Sequence, residues 1–214
     1  MATASPSSPL RRIGVFGGTF DPPHMGHLVL ARTAKDQLNL DGVLWIPAGQ
    51  PWQKADRSMT EGEHRAAMVR AAITGHAGFS LDRRELQRSG PSYTIDTVRE
   101  LQAEHRGAAL YLIIGQDQYA RLPTWHEWRE LVSRVTLAVA GRDGQPASTP
   151  SALRGTWHRV EPLSMPPMDV SASRIREHIA GGGTAESLVP AMVPTVVARY
   201  IDRHHLYRAA SPAA

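Results

Sequence analysis

The sequence predicts an α/β fold, in which a doubly wound, Rossmann-like and mainly parallel sheet carries helices on both faces and a small helical part follows at the C-terminus. Three observations predict it. Short apolar runs alternate with stretches that repeat apolar residues at helical spacing. A glycine pair ends the first apolar run, and two helical patterns with no strand between them close the chain.

The first half of the chain contains three strand–helix pairs. The apolar runs at 12–16, 43–47 and 79–85 predict strands, and the second run ends at a proline. Each run precedes a stretch with apolar residues three and four apart, which predicts a helix; these stretches are 27–40, 63–74 and 93–105. Such alternation is typical of βαβ units, so we expect parallel strands and right-handed crossovers.

The second half repeats the alternation and then changes to helices. The apolar run ALYLIIG has the composition of a buried strand. Glycines 181–183 follow the fifth predicted helix and end it. The predicted elements are strand 109–115, helix 125–134, strand 135–141, loop 142–155, short strand 157–162, helix 171–180 and helix 193–205.

Composition narrows the function classes. The chain has 214 residues, of which 42% are hydrophobic and 21% charged, with no long uncharged apolar stretch, so we expect a globular protein without a membrane partner. It has no cysteine, which excludes disulfides and thiolate metal sites and favours a cytoplasmic setting. The net charge is +4, and the basic residues are spread along the chain with acidic residues between them. This pattern favours anionic small molecules over nucleic acid as ligands.

The length suits a single domain, which we place at residues 10–208. Residues 1–9 are small and polar and lack the apolar core of a secretory signal, so we expect a disordered leader. Residues 209–214 are expected to form a disordered tail. The sequence leaves the oligomeric state open, a homo-oligomer included.

The stretch GGTFDPPHMGHL, residues 17–28, lies where the first strand passes into its helix. In doubly wound sheets, ligands bind beyond the carboxyl ends of the strands. Gly17 and Gly18 allow a ligand to approach the backbone, whose amides can face phosphate oxygens. His24 and His27 share a face at the helix start, where the positive end of the helix favours anions. Each part alone has an ordinary structural explanation, but the combination predicts a polyphosphate site.

This stretch resembles the signature of the H-x-G-H nucleotidyltransferase superfamily. The second hallmark of that superfamily, a serine-led helix start carrying an arginine, is similar to DVSASRIRE at 169–177. Ser171 is a good N-cap, and Arg176 can donate two hydrogen bonds to phosphate oxygens. Without the first motif, an ordinary capped helix would explain this segment. The resemblance implies that His24, His27 and Arg176 are catalytic. It implies ATP binding by Gly17, Gly18, Thr19, Phe20, His24, His27, Gly115, Asp117, Ser171 and Arg176.

Three further segments, 46–54, 90–100 and 113–128, resemble the bacterial nicotinate mononucleotide adenylyltransferases. The resemblance covers most of residues 13–205 in order. It implies transfer of AMP from ATP to nicotinate mononucleotide, which gives nicotinate adenine dinucleotide and pyrophosphate in NAD biosynthesis. Mg²⁺ is expected to bridge the ATP phosphates, held mainly by ATP and water.

The resemblance also implies roles at the second substrate. Trp125 is expected to stack on the pyridine ring, and the amides of Trp125 and His126 to meet the nicotinate carboxylate. Asp117 is expected to hold the adenosine ribose. The remaining expected contacts to the mononucleotide and phosphates are Lys54, Ser92, Tyr93 and Thr94.

Ordinary structural explanations stay open for several of these residues. Trp125 could be a core residue, Asp117 an N-cap, and residues 92–94 a capped helix start. Lys54 follows Pro51, Trp52 and Gln53, where the family commonly has two prolines and a histidine before the lysine. His126 stands where the family often has tyrosine.

The sequence leaves two other functions open. One is an adenylyltransferase for another phosphate, such as phosphopantetheine; those enzymes share the first and last motifs. The other is a non-catalytic nucleotide-binding module that keeps the phosphate site, although both histidines and Arg176 are present.

Overall fold

The computed structural model describes residues 11–49, 59–141 and 145–209. Within them, six strands form one parallel sheet in the order β3-β2-β1-β4-β5-β6. This confirms the predicted Rossmann-like fold, and every strand overlaps its predicted range. The strands are β1 (Arg12–Gly18), β2 (Gly42–Pro47), β3 (Phe79–Leu81), β4 (Ala109–Gly115), β5 (Thr136–Ala140) and β6 (Arg159–Leu163).

Helices connect the strands and close the chain. Short 3-10 turns lie at Leu122–Thr124, Ser151–Leu153 and Glu186–Leu188. The α-helices are α1 (Met25–Gln37), α2 (Gly62–Ile73), α3 (Arg84–Gln87), α4 (Thr94–Glu104), α5 (Gln116–Arg121), α6 (Trp128–Arg134), α7 (Ala172–Ala180) and α8 (Thr195–Arg203).

The two faces of the sheet bury separate cores because successive side chains of a strand point to opposite sides. Val15 of β1 and Leu112 of β4, which are paired in register, pack with α4 and α6 on one face. Their neighbours Phe16 and Ile113 pack with α1 and α2 on the other face. Strands covered on both faces read as continuous apolar runs, which is how β4 appears in the sequence.

The C-terminal helical part forms a third core. Met68 and Ala72, on the side of α2 that faces away from the sheet, pack against Ile175 of α7 and Val197 and Ile201 of α8. Helix α2 therefore joins the sheet to the C-terminal helices, and it carries α7 into position beside the end of β1.

Two predicted boundaries were wrong for local reasons, and one helix was missed. The strand predicted at 79–85 ends at Leu81, because the Asp82 carboxylate accepts the Arg84 main-chain N–H at 2.9 Å and starts the short helix α3. The helix predicted at 125–134 begins only at Trp128, since Glu127 adopts a left-handed backbone with φ of 47°. Helix α5 directly after β4 was not predicted.

Among the residues that the structure describes, none of the helices combines the length and apolar character needed to span a membrane. The expected leader at 1–9 lies outside the described residues, and so does the tail beyond residue 209. The single domain at 10–208 stays a prediction.

Candidate active site

A cavity of about 620 Å³ opens at the carboxyl ends of β1 and β4. Strands β2 and β3 lie on one side of β1, and strands β4 to β6 lie on its other side. The strand order therefore changes direction between β1 and β4, which is where ligands bind in folds of this type. Helices α1, α4, α5 and α7 all begin at the cavity. Their first turns offer main-chain N–H groups and positive potential.

His24 and His27 stack on each other over the start of α1, with ring centroids 3.7 Å apart. His24 is the N-cap, and its main-chain N–H donates to Nδ1 of His27 at 3.2 Å. In its neutral form, His27 therefore carries its proton on Nε2. The Phe20 ring, which is buried, packs edge-on against His27 at 5.1 Å and fixes its plane.

The electrostatics of the two imidazoles follow from their burial. Desolvation lowers the pKa of His24 to about 4, so its ring is neutral near pH 7. A neutral imidazole is a hydrogen-bonding group and not a cation. A phosphate placed beside it would shift the pKa back upward, because an anion stabilises the imidazolium form.

Helix α7 brings its serine and arginine to the opposite wall. Ser171 caps the helix by accepting the main-chain N–H of Arg174 at 3.3 Å. Arg176 donates from Nη1 to the main-chain oxygen of Asp21 at 2.6 Å and from Nη2 to Oγ of Ser173 at 3.2 Å. The histidines and the guanidinium thus line the same cavity although about 150 residues separate them in the chain.

Two glycines leave the backbone open toward this space. A Cβ added at Gly17, at the end of β1, or at Gly115, at the end of β4, would meet nothing within 4 Å. Both residues line the cavity, so a ligand can approach the main chain closely there. Asp117 lies in the first turn of α5, next to Gly115, with its side chain exposed.

The residues expected at the mononucleotide lie at the other end of the cavity. Tyr93 stacks on His126 with centroids 4.2 Å apart and an angle of 27°. Trp125 lines the cavity while packing on the core beneath α4 and α6, so it belongs to both. The buried Nε1 of Trp125 has no hydrogen-bond partner among the described residues. Ser92 is buried and donates its hydroxyl to the main-chain oxygen of Glu85 at 3.3 Å.

The structure bears on the contact predicted between the Trp125 amide and the nicotinate carboxylate. The Trp125 main-chain N–H already donates to the oxygen of Leu122 at 2.9 Å, because Leu122–Thr124 form a 3-10 turn. It is therefore not available to a carboxylate while that turn persists. The amide of His126 makes no main-chain hydrogen bond within the described residues.

All the predicted site residues that the structure describes line this one cavity. Lys54 lies outside the described residues. Sequence reasoning missed two buried acids at the cavity, Asp21 and Glu85. Burial raises the pKa of Glu85, and its Oε1 accepts the Thr97 hydroxyl at 2.8 Å. The burial of Asp21 and Glu85 depends on long-range packing, so no local pattern marked them.

A Rossmann-like sheet with an H-x-G-H turn at its first strand defines the nucleotidyltransferase class. The sequence model of the cytidylyltransferase-like family matches residues 15–178. A protein of Methylibium petroleiphilum named "Probable nicotinate-nucleotide adenylyltransferase" is 68% identical over 94% of this chain and 94% of its own length. A protein of the same name from Bordetella petrii is 45% identical over 93% and 100% of the two lengths.

The chain therefore belongs to the nicotinate-nucleotide adenylyltransferases, a group within the cytidylyltransferase-like family. This confirms the resemblance found in the sequence. A solved structure with the same fold is the Plasmodium falciparum nicotinic acid mononucleotide adenylyltransferase complexed with NaAD, with a TM-score of 0.74, 19% identity and coverage of 92% of this chain and 97% of that one.

Proposed function

We propose that the protein transfers AMP from ATP to nicotinate mononucleotide and so forms nicotinate adenine dinucleotide and pyrophosphate in NAD biosynthesis. The observation that carries this is the convergence of His24, His27 and Arg176 on one cavity that also holds Trp125. A triphosphate at one end and a pyridine nucleotide at the other place the two reacting phosphates between them. The relatives' names support the same substrate pair.

The reaction is a direct in-line displacement. An oxygen of the mononucleotide phosphate bonds to the α-phosphorus of ATP while the bond from that phosphorus to the bridging oxygen breaks, and pyrophosphate leaves with the electron pair. The chain has no cysteine, and the Ser171 hydroxyl caps α7, so neither serves as a covalent nucleophile. The protein positions the two phosphates and stabilises the developing charge.

Each catalytic group has a separate part. His24 and His27 donate hydrogen bonds to the triphosphate from the α1 side, and Arg176 does so from the α7 side. Preorganised donors of this kind are worth a few kcal/mol each, of the order of 2.7–4 where a single donor has been removed. The first turn of α7 adds its main-chain N–H groups. Gly17 and Gly18 let the phosphates approach β1, where Thr19 and Phe20 complete the wall.

The adenosine is expected at the start of α5. The carboxylate of Asp117 accepts hydrogen bonds from the ribose hydroxyls, and Gly115 leaves space beside the end of β4. This assignment is supported by the exposure of Asp117 at the cavity wall.

Mg²⁺ enters with ATP. No group of three or more His, Asp or Glu side chains that could hold a metal ion is found among the described residues. At the phosphate end, Asp21 already accepts from Tyr207 and Thr60. The residues therefore fit a metal that would be held by ATP and not by the protein, and the chemistry that it would supply is neutralisation of phosphate charge.

The nicotinate end supplies specificity. Trp125 stacks on the pyridine ring, beside the Tyr93–His126 pair, and Ser92 and Thr94 flank the mononucleotide. Since the Trp125 amide is engaged in its turn, we assign the carboxylate contact to the His126 amide. An N–H donor favours a carboxylate over a carboxamide, because a hydrogen bond to an ionised oxygen is stronger than one to a neutral carbonyl oxygen. Lys54 stays a predicted phosphate contact.

The test is a product assay with three acceptors. The protein is incubated with ATP, Mg²⁺ and nicotinate mononucleotide, nicotinamide mononucleotide or 4′-phosphopantetheine, and both pyrophosphate and the adenylylated product are measured. We expect the highest kcat/KM with nicotinate mononucleotide and no product without Mg²⁺. Preference for phosphopantetheine would move the protein to another transferase group, and ATP binding without any product would make it a binding module. We place the protein in the cytoplasm, with no nucleic acid or membrane partner; any homo-oligomer is left to solution measurement.

A further inference from the structure

A buried polar cluster joins the first loop of the protein to its C-terminal segment. The carboxylate of Asp21, which is only 7% exposed, accepts the Tyr207 hydroxyl at 2.7 Å through Oδ1 and the Thr60 main-chain N–H at 3.4 Å through Oδ2. Arg65, 2% exposed, donates to the main-chain oxygens of Thr19 and Thr60, both at 2.9 Å. The Arg65 guanidinium also attracts the Asp21 carboxylate. The buried negative charge is thus compensated from three sides.

The backbone is strained on both sides of this contact. Phe20, next to Asp21, has a φ of 50°, and Tyr207 has a φ of 64°. Residues other than glycine enter the left-handed region at a cost, and they stay there only where the surrounding contacts hold them. The hydrogen bond between Tyr207 and Asp21 is one of those contacts at each end.

The same aspartate holds the catalytic arginine. Nη1 of Arg176 donates to the main-chain oxygen of Asp21 at 2.6 Å. Tyr207 is not among the described residues that line the cavity, and its hydrogen bond to Asp21 connects it to the residue that holds Arg176. Burial, with the neighbouring carboxylate adding to it, raises the pKa of the Tyr207 hydroxyl, which therefore remains a donor throughout the working pH range.

We propose that Tyr207 is a positioning residue for adenylyl transfer: it holds Asp21 and Phe20 in place, and Asp21 in turn holds the Arg176 guanidinium against the triphosphate. This rests on the proposed function. The family match ends at residue 178, so Tyr207 lies outside the part of the chain that this match covers. The C-terminal segment thereby becomes part of the phosphate site without touching substrate.

The test compares Tyr207→Phe with Tyr200→Phe. Tyr200 lies in α8, a few residues before Tyr207, and its hydroxyl contacts Nδ1 of His64 in helix α2 at 2.9 Å. The control therefore loses a tyrosine hydroxyl contact in the same part of the chain without removing the donor to Asp21. We expect Tyr207→Phe to lower kcat about tenfold or more. The KM for ATP and the Kd for pyrophosphate should rise, while the KM for nicotinate mononucleotide stays unchanged. Tyr200→Phe should leave all four quantities unchanged.

A double-mutant cycle separates positioning from a general structural effect. In an Arg176→Ala background, Tyr207→Phe should add little further loss in kcat or in pyrophosphate affinity, since its effect passes through that arginine. Full additivity, equal effects on both substrates, or equal effects of the two tyrosine variants would overturn the role. If the Tyr207→Phe variant fails to fold, the double variant Tyr207→Phe with Asp21→Asn also removes the carboxylate charge that has lost its hydrogen-bond donor. The same losses in kcat and in pyrophosphate affinity are expected of this double variant.

Pyrophosphate binding by calorimetry also keeps the two proposals apart. If the unaltered protein makes no dinucleotide, the proposed function fails, yet the binding cycle still decides whether Tyr207 acts through Arg176. If dinucleotide forms and Tyr207→Phe matches Tyr200→Phe, only the positioning role fails.

Discussion

The low pKa of His24 predicts that the protein, in the absence of a phosphate ligand, loses stability in mild acid. A histidine has a pKa of about 6.5 when the chain is unfolded, whereas burial in the native cavity lowers it to about 4. Between those values the unfolded chain binds a proton at this position that the native protein does not bind. The free energy of unfolding therefore falls as the pH falls through this window and is unaffected by His24 above it.

The size of the effect follows from the shift. Each pKa unit is worth about 1.4 kcal/mol, and between pH 7 and pH 5 the unfolded chain gains about 2 kcal/mol from protonating this one side chain. The native cavity gains almost nothing over the same interval, because its imidazole titrates lower. His24 alone thus removes about 2 kcal/mol from a total stability that is typically about 5–15 kcal/mol.

The assay is urea denaturation at several pH values, followed by circular dichroism, for the unaltered protein and for His24→Gln and His24→Asn. Carboxylates also titrate in this range, but they are common to all three proteins and cancel in the difference. We expect both variants to lose about 2 kcal/mol less than the unaltered protein between pH 7 and pH 5. Pyrophosphate at saturation should reduce the difference, since the anion raises the pKa of the bound-state imidazole.

Equal pH dependence of all three proteins would refute the reasoning. So would an NMR titration of the His24 Cε1 carbon with a midpoint near the ordinary value in the absence of ligand. Either result would mean that water reaches the ring and that His24 titrates near its ordinary pKa before any phosphate binds.

Three further results are expected. His27→Ala should lower kcat by roughly 100-fold or more with a small change in the KM for ATP, because it removes a donor to the transition state; steady-state kinetics near the original rate would exclude that role. Trp125→Ala should raise the KM for nicotinate mononucleotide about tenfold and leave that for ATP alone; equal effects on both would contradict stacking. A Cβ at Gly49 would lie 2.0 Å from the Glu85 main-chain oxygen, so Gly49→Ala should cost about 1–3 kcal/mol in urea denaturation, whereas Gly17→Ala, with open space around it, should not.

The parts of the fold that the sequence predicted are those with local causes. Strand β4 reads as a continuous apolar run because both of its faces are covered, and the junction after β1 carries its glycines and histidines within 12 residues. The strand predicted at 79–85 was too long because periodicity does not show that Asp82 captures the Arg84 amide. Helix α5 is only six residues long, too short for a repeat pattern.

The parts of the site that the sequence did not predict depend on contacts between distant residues. Asp21 appears in the motif as a loop residue, and only the structure shows that Tyr207, 186 positions later, donates a hydrogen bond to its carboxylate. Glu85 is buried because α4 folds over it and brings Thr97 to its carboxylate. No spacing rule connects such pairs, since the packing of the whole sheet and its helices sets them.

The charge balance of the cavity explains why so few basic side chains are present. Among the described lining residues, Arg176 is the one with a fixed positive charge, and His24 is neutral when the site is empty. Several cationic side chains in one cavity would lose hydration free energy and would repel one another. In the proposed function, the phosphates bind at the starts of α1 and α7, whose N–H dipoles are already oriented and need no rearrangement during the reaction. In the proposed function, the remaining positive charge would come from a metal ion bound with ATP and from a proton that His24 would take from solvent once a phosphate lies beside it.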